Sequence, residues 1–180
     1  MAYFIVFEGG DGSGKSTQAR SLLRRLRKRG IKVLRTREPG GTPLGRALRR
    51  LLKSGKSMAP ISELMLFEAA RAQLVLQVIR PFLDQGGVVI ADRFTSSTVA
   101  YQGYGRGLDR ELIERLNREA TGGLEPELTV LLDLPVETAL ARKEGEHGGG
   151  SDDTFDHAPV DFHRKIRRGY RALAASDPEG

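Results

Sequence analysis

A chain of 180 residues, 39% hydrophobic and 29% charged, can bury a full core without staples, and its lack of cysteine excludes disulfides and thiolate metal sites. No apolar run approaches the ~18 residues of a membrane span, and the start "MAYFIVFEGG" lacks a basic leader region, so a cytoplasmic protein with no membrane partner is expected. The net charge of +6 favours anionic partners such as nucleotides, phosphates or nucleic acid.

Tyr3–Glu8 is apolar and β-branched enough for a buried strand. Lys15–Arg29 reads as a helix, with Ala19, Leu22, Leu23 and Leu26 on one stripe and Gly30 placed to end it. Its basic run "RSLLRRLRKRG" fits a solvated face. Without interleaved aromatics it argues weakly for nucleic acid, which is not expected as a partner. Ile31–Thr36 is a second strand, "REPGGTP" a loop, and Leu44–Lys53 a helix. A long helical pattern spans Ile61–Leu83, interrupted near its end by Pro81. Val88–Ala91 forms a strand ending in Asp92-Arg93, and "FTSSTVAYQGYGRG" is partly helical. Asp109 caps a helix to about Glu119, Leu128–Leu132 is a strand ending at Asp133, and Val136–Arg142 is a helix. "KEGEHGGGSDD" is too poor in apolar residues to pack, and a last helix carries Phe162, Ile166, Tyr170 and Leu173 on one face.

Apolar strands alternating with helices predict an α/β fold, a parallel sheet with helices on both faces and right-handed crossovers. The whole of 1–180 is expected to form one domain, with chemistry gathered beyond the carboxyl ends of the strands.

One of those ends carries "GGDGSGKS", which fits G-x-x-x-x-G-K-[ST] in full between a strand and a helix. Glycines let backbone N–H groups turn inward as an anion cradle, and the helix N-terminus adds partial positive charge. Gly9, Gly10, Asp11, Gly12, Ser13, Gly14, Lys15, Ser16 and Thr17 are thus the expected ATP-binding loop. Lys15 reaches the β/γ-phosphates and Ser16 offers an oxygen to Mg²⁺. Asp92 suits Mg²⁺ directly or through water, or else a helix cap; Arg93 suits a phosphate clamp or else a surface ion pair. The only asparagine, Asn117, sits outside any N-K-x-D base reader, which argues against a GTPase. No strand ends Asp-Glu as in motor ATPases. Small size and a glycine-rich segment at 144–150 favour a nucleoside monophosphate kinase with a closing lid at about 143–156.

Together "FEGGDGSGKST", "TREPGGTPLG", "LFEAARAQ", "DRFTSSTVAYQGYGRG", "PELTVLLDLP" and "RRGYRALA" resemble the thymidylate kinase family of the bacterial type, from about Phe4 to Ala174. The resemblance implies the P-loop nucleoside monophosphate kinase fold, a homodimer, and transfer from ATP with Mg²⁺ to dTMP. The alternative is a kinase for another small nucleoside monophosphate. It implies that Asp11 contacts the sugar 3′-hydroxyl, that Glu38, Pro39 and Arg49 border the acceptor phosphate, and that Phe67 stacks on thymine rather than serving as plain core. Arg71, one turn on, would hydrogen-bond a thymine carbonyl, Arg93 would bind phosphate, and Ser97, Thr98, Tyr101 and Gln102 would read base and sugar. Tyr101 would crowd a ribose 2′-hydroxyl.

Two departures from the family stand out. The lid has Thr154 where the family often has arginine, which leaves Arg142 as the expected catalytic cation beside Lys15, Arg93 and Asp11. Lys143 and His147 are nearby, and His147 reads as solvated. The family also continues past "YRALAASDPEG" into a further strand and helix, so either the sequence is cut short or this member lacks the C-terminal edge strand.

Overall fold

The computed structural model describes residues 2–147 and 158–177, with the backbone alone at 143–147. Four strands, β1 (Tyr3–Glu8), β2 (Val33–Arg37), β3 (Val88–Asp92) and β4 (Leu128–Leu131), make one sheet among the described residues. The order is β2-β3-β1-β4 and every pairing is parallel, with Ile5 opposite both Ile90 and Leu128. Parallel neighbours require crossovers: α1 (Lys15–Lys28) links β1 to β2, α2 (Pro43–Leu52), α3 (Pro60–Leu74) and α4 (Arg80–Asp84) lie between β2 and β3, and α5 (Thr95–Thr98) and α6 (Arg110–Thr121) between β3 and β4, while α7 (Val136–His147) and α8 (Val160–Ser176) follow β4.

The strand pleat sorts the core into two layers. Ile5, Phe7 and Ile90 face α1 and pack with Ala19 and Val33. Phe4, Val6, Val89 and Ala91 face the other way and pack with Leu74, Val75, Ile79 and Phe94. Phe4 and Phe94 meet edge to face, with ring centroids 5.0 Å apart. Helices therefore cover both faces, as the sequence predicts. The basic residues Arg24, Arg25, Arg27, Lys28 and Arg29 lie on the exposed side of α1. On its far flank the sheet ends at β4, whose Leu128 is exposed and whose Thr129–Leu131 are half-buried.

Boundaries shift where local hydrogen bonds compete. β2 starts two residues later than expected, because the Ile31 amide closes α1 by donating to the Leu26 carbonyl at 3.1 Å. α6 runs on to Thr121 and stops at Gly122, left-handed at φ 57°. α7 continues to His147, beyond the expected Arg142, so the first part of the expected lid is helical backbone. Residues 148–156 of that lid lie outside the described residues. Pro81 does not break the chain out of helix. A π-helical turn at Val75–Ile79 precedes it, with the Arg80 amide reaching back to the Val75 carbonyl. That wider turn relieves the crowding a proline ring would impose on the carbonyl four residues back.

A second π-helix, Val99–Gly105, follows α5 and packs along α8. Glycines permit the approach: a Cβ at Gly105 would lie 2.7 Å from the Phe162 ring, and one at Gly169 would lie 2.7 Å from the Tyr104 ring. Gly169→Ala is expected to wedge the two apart, costing about 1–3 kcal/mol in urea denaturation. It should also weaken acceptor binding, because the next residue, Tyr170, belongs to the site described below.

Candidate active site

In this strand order the chain leaves β1 for the far side of β3 and later returns to the opposite flank. The crevice at the carboxyl ends of β1 and β3 is therefore the topological switch point. Glu8-Gly9 ends β1 and Asp92-Arg93 ends β3.

From Glu8 the chain enters the glycine loop. Gly12 (φ 75°) and Gly14 (φ 94°) adopt left-handed conformations, and a Cβ on Gly12 would strike the Ala139 backbone of α7. Gly14 caps α1, whose first turn holds no acidic residue, so its positive end is open to an anion. The Lys15 ammonium donates to the Gly10 carbonyl at 2.7 Å. Burial, with Arg93 nearby, pulls the Lys15 pKa down to about 8. Ser16 donates to the Asp92 carboxylate. A hydroxyl and a carboxylate joined at the phosphate loop are the hard oxygen donors that Mg²⁺ takes, so this pair fits the expected metal.

Asp11 faces the other side. Its carboxylate accepts from Arg93 at 2.7 Å and from the Tyr101 hydroxyl at 3.1 Å. Arg93 has φ 77°, which costs a non-glycine residue about 1–3 kcal/mol and must be enforced by its surroundings. The enforcement comes from Glu8. Its buried carboxylate accepts from the Phe94 amide (2.8 Å), the Ser97 amide (3.1 Å), the Ser97 hydroxyl (2.6 Å) and the Tyr170 hydroxyl (3.0 Å). It thereby caps α5 from a neighbouring strand. The Arg93 guanidinium also donates to the Gly9 carbonyl (3.0 Å), Ser97 (3.1 Å), Tyr170 (2.8 Å) and Tyr101 (2.9 Å). Burial pushes the Tyr101 and Tyr170 hydroxyls up, so both act as neutral hydrogen-bonding groups.

Beside this network lies a cavity of about 100 Å³ lined by Asp11, Glu38, Pro39, Arg49, Leu52, Lys53, Phe67, Arg71, Arg93, Ser97, Thr98, Tyr101 and Gln102. Every acceptor-side residue picked from the sequence is brought to it. Arg49 is tied back to the Pro39 carbonyl at 3.2 Å. Phe67 is half-buried against the Tyr101–Phe162 cluster. Arg71 has a second occupation that the sequence does not reveal. Only 1% exposed, it donates to Glu38 (2.9 Å), Glu68 (2.8 Å), Asn117 (2.6 Å), Thr98 (2.8 Å) and the Phe94 carbonyl (3.1 Å). It therefore anchors the cavity floor as well as lining it. Two carboxylates share this one cation, and Glu38 Oε1 and Glu68 Oε2 find no hydrogen bond among the described residues. Burial raises both, Glu38 to about 7.

Arg142 behaves otherwise. It is exposed on α7 and lines neither this cavity nor the smaller one behind the glycine loop. The helix that carries it runs on to His147. Thr154 lies outside the described residues. Glu8, Lys53 and Tyr170 were missed as site residues. For Glu8 a signal existed, since a carboxylate ending a buried strand at a phosphate loop needs a partner.

Phosphate loop, strand-end Asp-Arg and an adjacent cavity of this chemistry define a P-loop kinase with a separate acceptor site. The thymidylate kinase family model matches residues 7–180. The chain is 52% identical over 176 residues to a thymidylate kinase of Synechococcus sp. (strain JA-2-3B'a(2-13)), covering 98% of this chain and 82% of that protein. It is 53% identical over 182 residues to one of Desulfovibrio desulfuricans, with coverages of 98% and 84%. A crystal structure of thymidylate kinase from Ehrlichia chaffeensis superposes with a TM-score of 0.82 at 36% identity, over 99% of this chain and 85% of that one. The chain belongs to the thymidylate kinase family.

The Glu38 carboxyl gives a pH test. Folding lifts its pKa from 4.5 to about 7, so the folded state keeps a proton that the unfolded state releases between those values. Its contribution is full below pH 4.5 and lost as pH rises through 7. In urea titrations the stability advantage of wild type over Glu38→Gln should therefore shrink from pH 5 to 7.5, by up to ~1.4 kcal/mol per pH unit. A flat difference would show that Glu38 is ionised throughout.

Proposed function

We infer that the chain transfers the γ-phosphoryl group of ATP to dTMP, giving ADP and dTDP. The observation that carries this reading is the Arg93–Asp11 ion pair at 2.7 Å, which joins the phosphate loop to the wall of the acceptor cavity. In this reading an acceptor phosphate oxygen bonds to the γ-phosphorus as the bond to the β,γ-bridging oxygen breaks, and the electron pair leaves on ADP. The acceptor is already anionic, so no general base is required. The work is positioning and charge neutralisation. Lys15 holds the β/γ-phosphates from the loop. Arg93, with five internal contacts, is preorganised to take an acceptor phosphate. Asp11 receives the sugar 3′-hydroxyl, and Tyr101, fixed by Arg93 and Asp11, blocks a 2′-hydroxyl. Phe67 offers a ring face to the base, with Thr98 and Gln102 beside it. Glu38, Pro39 and Arg49 close the phosphate side. Ser16 and Asp92 would hold Mg²⁺, which when bound neutralises charge on the β- and γ-phosphates.

A coupled assay of ADP release across nucleoside monophosphates tests the substrate. dTMP should give the highest kcat/KM, and preference for another monophosphate would replace this assignment. Lys15→Ala should keep its circular dichroism spectrum while kcat falls by about 10³-fold or more; retained turnover would remove Lys15 from the mechanism.

The reading extends to assembly and location. Leu44, Leu51, Ile61 and Met65 are exposed apolar side chains on α2 and α3, which pack on each other, and they support a homodimer through that face. No helix among the described residues is long and apolar enough to cross a membrane. A nucleotide kinase drawing on ATP fits the cytoplasm. Sedimentation should give about twice the 19.8 kDa chain mass, and Met65→Lys should shift it toward one chain.

A further inference from the structure

Beneath the acceptor cavity lies a second buried polar group that the phosphoryl-transfer machinery leaves unused. Glu63 sits in the first turn of α3, 4% exposed, and does not line the cavity. Four residues on, and so on the same helix face, is Phe67, which does. Glu63 Oε1 accepts from the Gln102 side-chain amide at 2.8 Å and from Arg106 Nε at 3.2 Å, and Oε2 accepts from Arg106 Nη2 at 2.9 Å. Arg106 in turn lies over the Phe162 ring of α8, 4.9 Å from its centroid. A first-turn carboxylate is thus held by a two-point guanidinium and gives its remaining capacity to one amide.

That amide belongs to Gln102, which lines the cavity and is itself 1% exposed. A glutamine amide has a donating end and an accepting end that can exchange by rotation. A carboxylate paired with arginine only accepts. Facing it with the carbonyl oxygen would set acceptor against acceptor in a buried site, a costly arrangement. The NH₂ end therefore faces Glu63, as the 2.8 Å contact shows, and the carbonyl oxygen turned away from Glu63 is the acceptor Gln102 has to offer the cavity.

We propose that Glu63 is a specificity-determining positioning residue: it locks the Gln102 amide so that the acceptor cavity presents a hydrogen-bond acceptor to the base. The proposal rests on the dTMP reading above. The base edge it selects carries a ring N–H, the imide N3–H of thymine or uracil. Cytosine has a bare lone pair at the equivalent nitrogen and meets the fixed oxygen as acceptor against acceptor. Discrimination arises because the mismatch leaves two buried acceptors unpaired. Glu63 touches no substrate atom and acts through Gln102, with Arg106 holding it in place.

Glu63→Gln keeps the side-chain shape but can show Gln102 either an oxygen or an NH₂ group, so the Gln102 amide is free to turn over. The test measures kcat/KM for dTMP, dUMP and dCMP, with a thermal melt on each variant. The expected result is a fall of about tenfold in kcat/KM for dTMP, mostly through KM. The dTMP-to-dCMP ratio should narrow by a similar factor. The double variant Glu63→Gln/Gln102→Glu supplies the rescue. It exchanges the two groups, so the carboxylate on the cavity side accepts from the amide on α3 and still offers only acceptors to the base. The ratio should then return to within about threefold of wild type. A lowered melting temperature with equal losses for dTMP and dCMP would make Glu63 merely structural and overturn the proposal. So would a double variant whose ratio stays collapsed. Should Glu63→Gln fail to fold, the double variant alone decides by the same ratio. Failure of the wild-type enzyme to prefer dTMP is a separate result, which overturns the functional reading itself.

Discussion

One guanidinium joins the two halves of this site. Arg93 leaves the end of β3 in a left-handed conformation and reaches the glycine loop through Gly9 and Asp11, the acceptor wall through Ser97 and Tyr101, and Tyr170 of α8. A buried cation is costly unless hydrogen-bond acceptors surround it, and Arg93 has five around its two terminal nitrogens. Burial works against its charge, yet the neighbouring tyrosine and carboxylate groups outweigh it and hold the guanidinium charged. The strain at its backbone is the cost of aiming that charge at the crevice. Glu8 makes the aim possible, because its carboxylate binds the next turn's amides and leaves the arginine no relaxed alternative.

The acceptor side is built on a second arginine used in the opposite manner. Arg71 turns all its hydrogen-bonding capacity inward, to α3, α5, α6 and the loop carrying Glu38. Such a network contributes little net stability, since desolvation offsets most of the attraction. What it fixes is geometry: four segments distant in sequence meet at one planar group. The arithmetic of charge then falls on Glu38 and Glu68, two buried carboxylates competing for one cation, and burial raises both. Their raised pKa values are thus a consequence of burial, not of any demand for acid–base chemistry.

The legible parts of the sequence were those with local causes. The glycine loop between strand and helix, the four strands and the α1 stripe depend on residues adjacent in the chain, and they fall where expected apart from shifted strand ends such as that of β2. The motif-borne residues Phe67, Tyr101 and Gln102 also reach one cavity. What escaped detection depends on partners far away. Glu8 meets Tyr170 across 162 positions, and Gln102 meets Glu63 across 39. No periodicity reports such pairs. Both π-helical segments escaped as well, because a π-turn keeps helical composition and changes only which carbonyl each amide reaches. Arg142 sits exposed on a helix that runs on to His147, and residues 148–156 of the expected lid beyond it lie outside the described residues.

These pieces divide the labour unevenly between the two nucleotides. The donor side is mostly backbone: glycine amides, a helix end and one lysine, a set that recognises phosphate whatever base is attached. The acceptor side is mostly side chains locked by other side chains, with Tyr101 held by Arg93 and Asp11, Thr98 by Arg71, and Gln102 by Glu63. A rigid polar wall discriminates because it cannot rearrange to satisfy a wrong ligand, whereas a backbone cradle tolerates any anion of the right size. The selectivity of a P-loop fold therefore resides outside the P-loop. In this chain the stretch from Arg93 to Arg106 brings Arg93, Ser97, Thr98, Tyr101 and Gln102 to the cavity on a short helix and a π-turn.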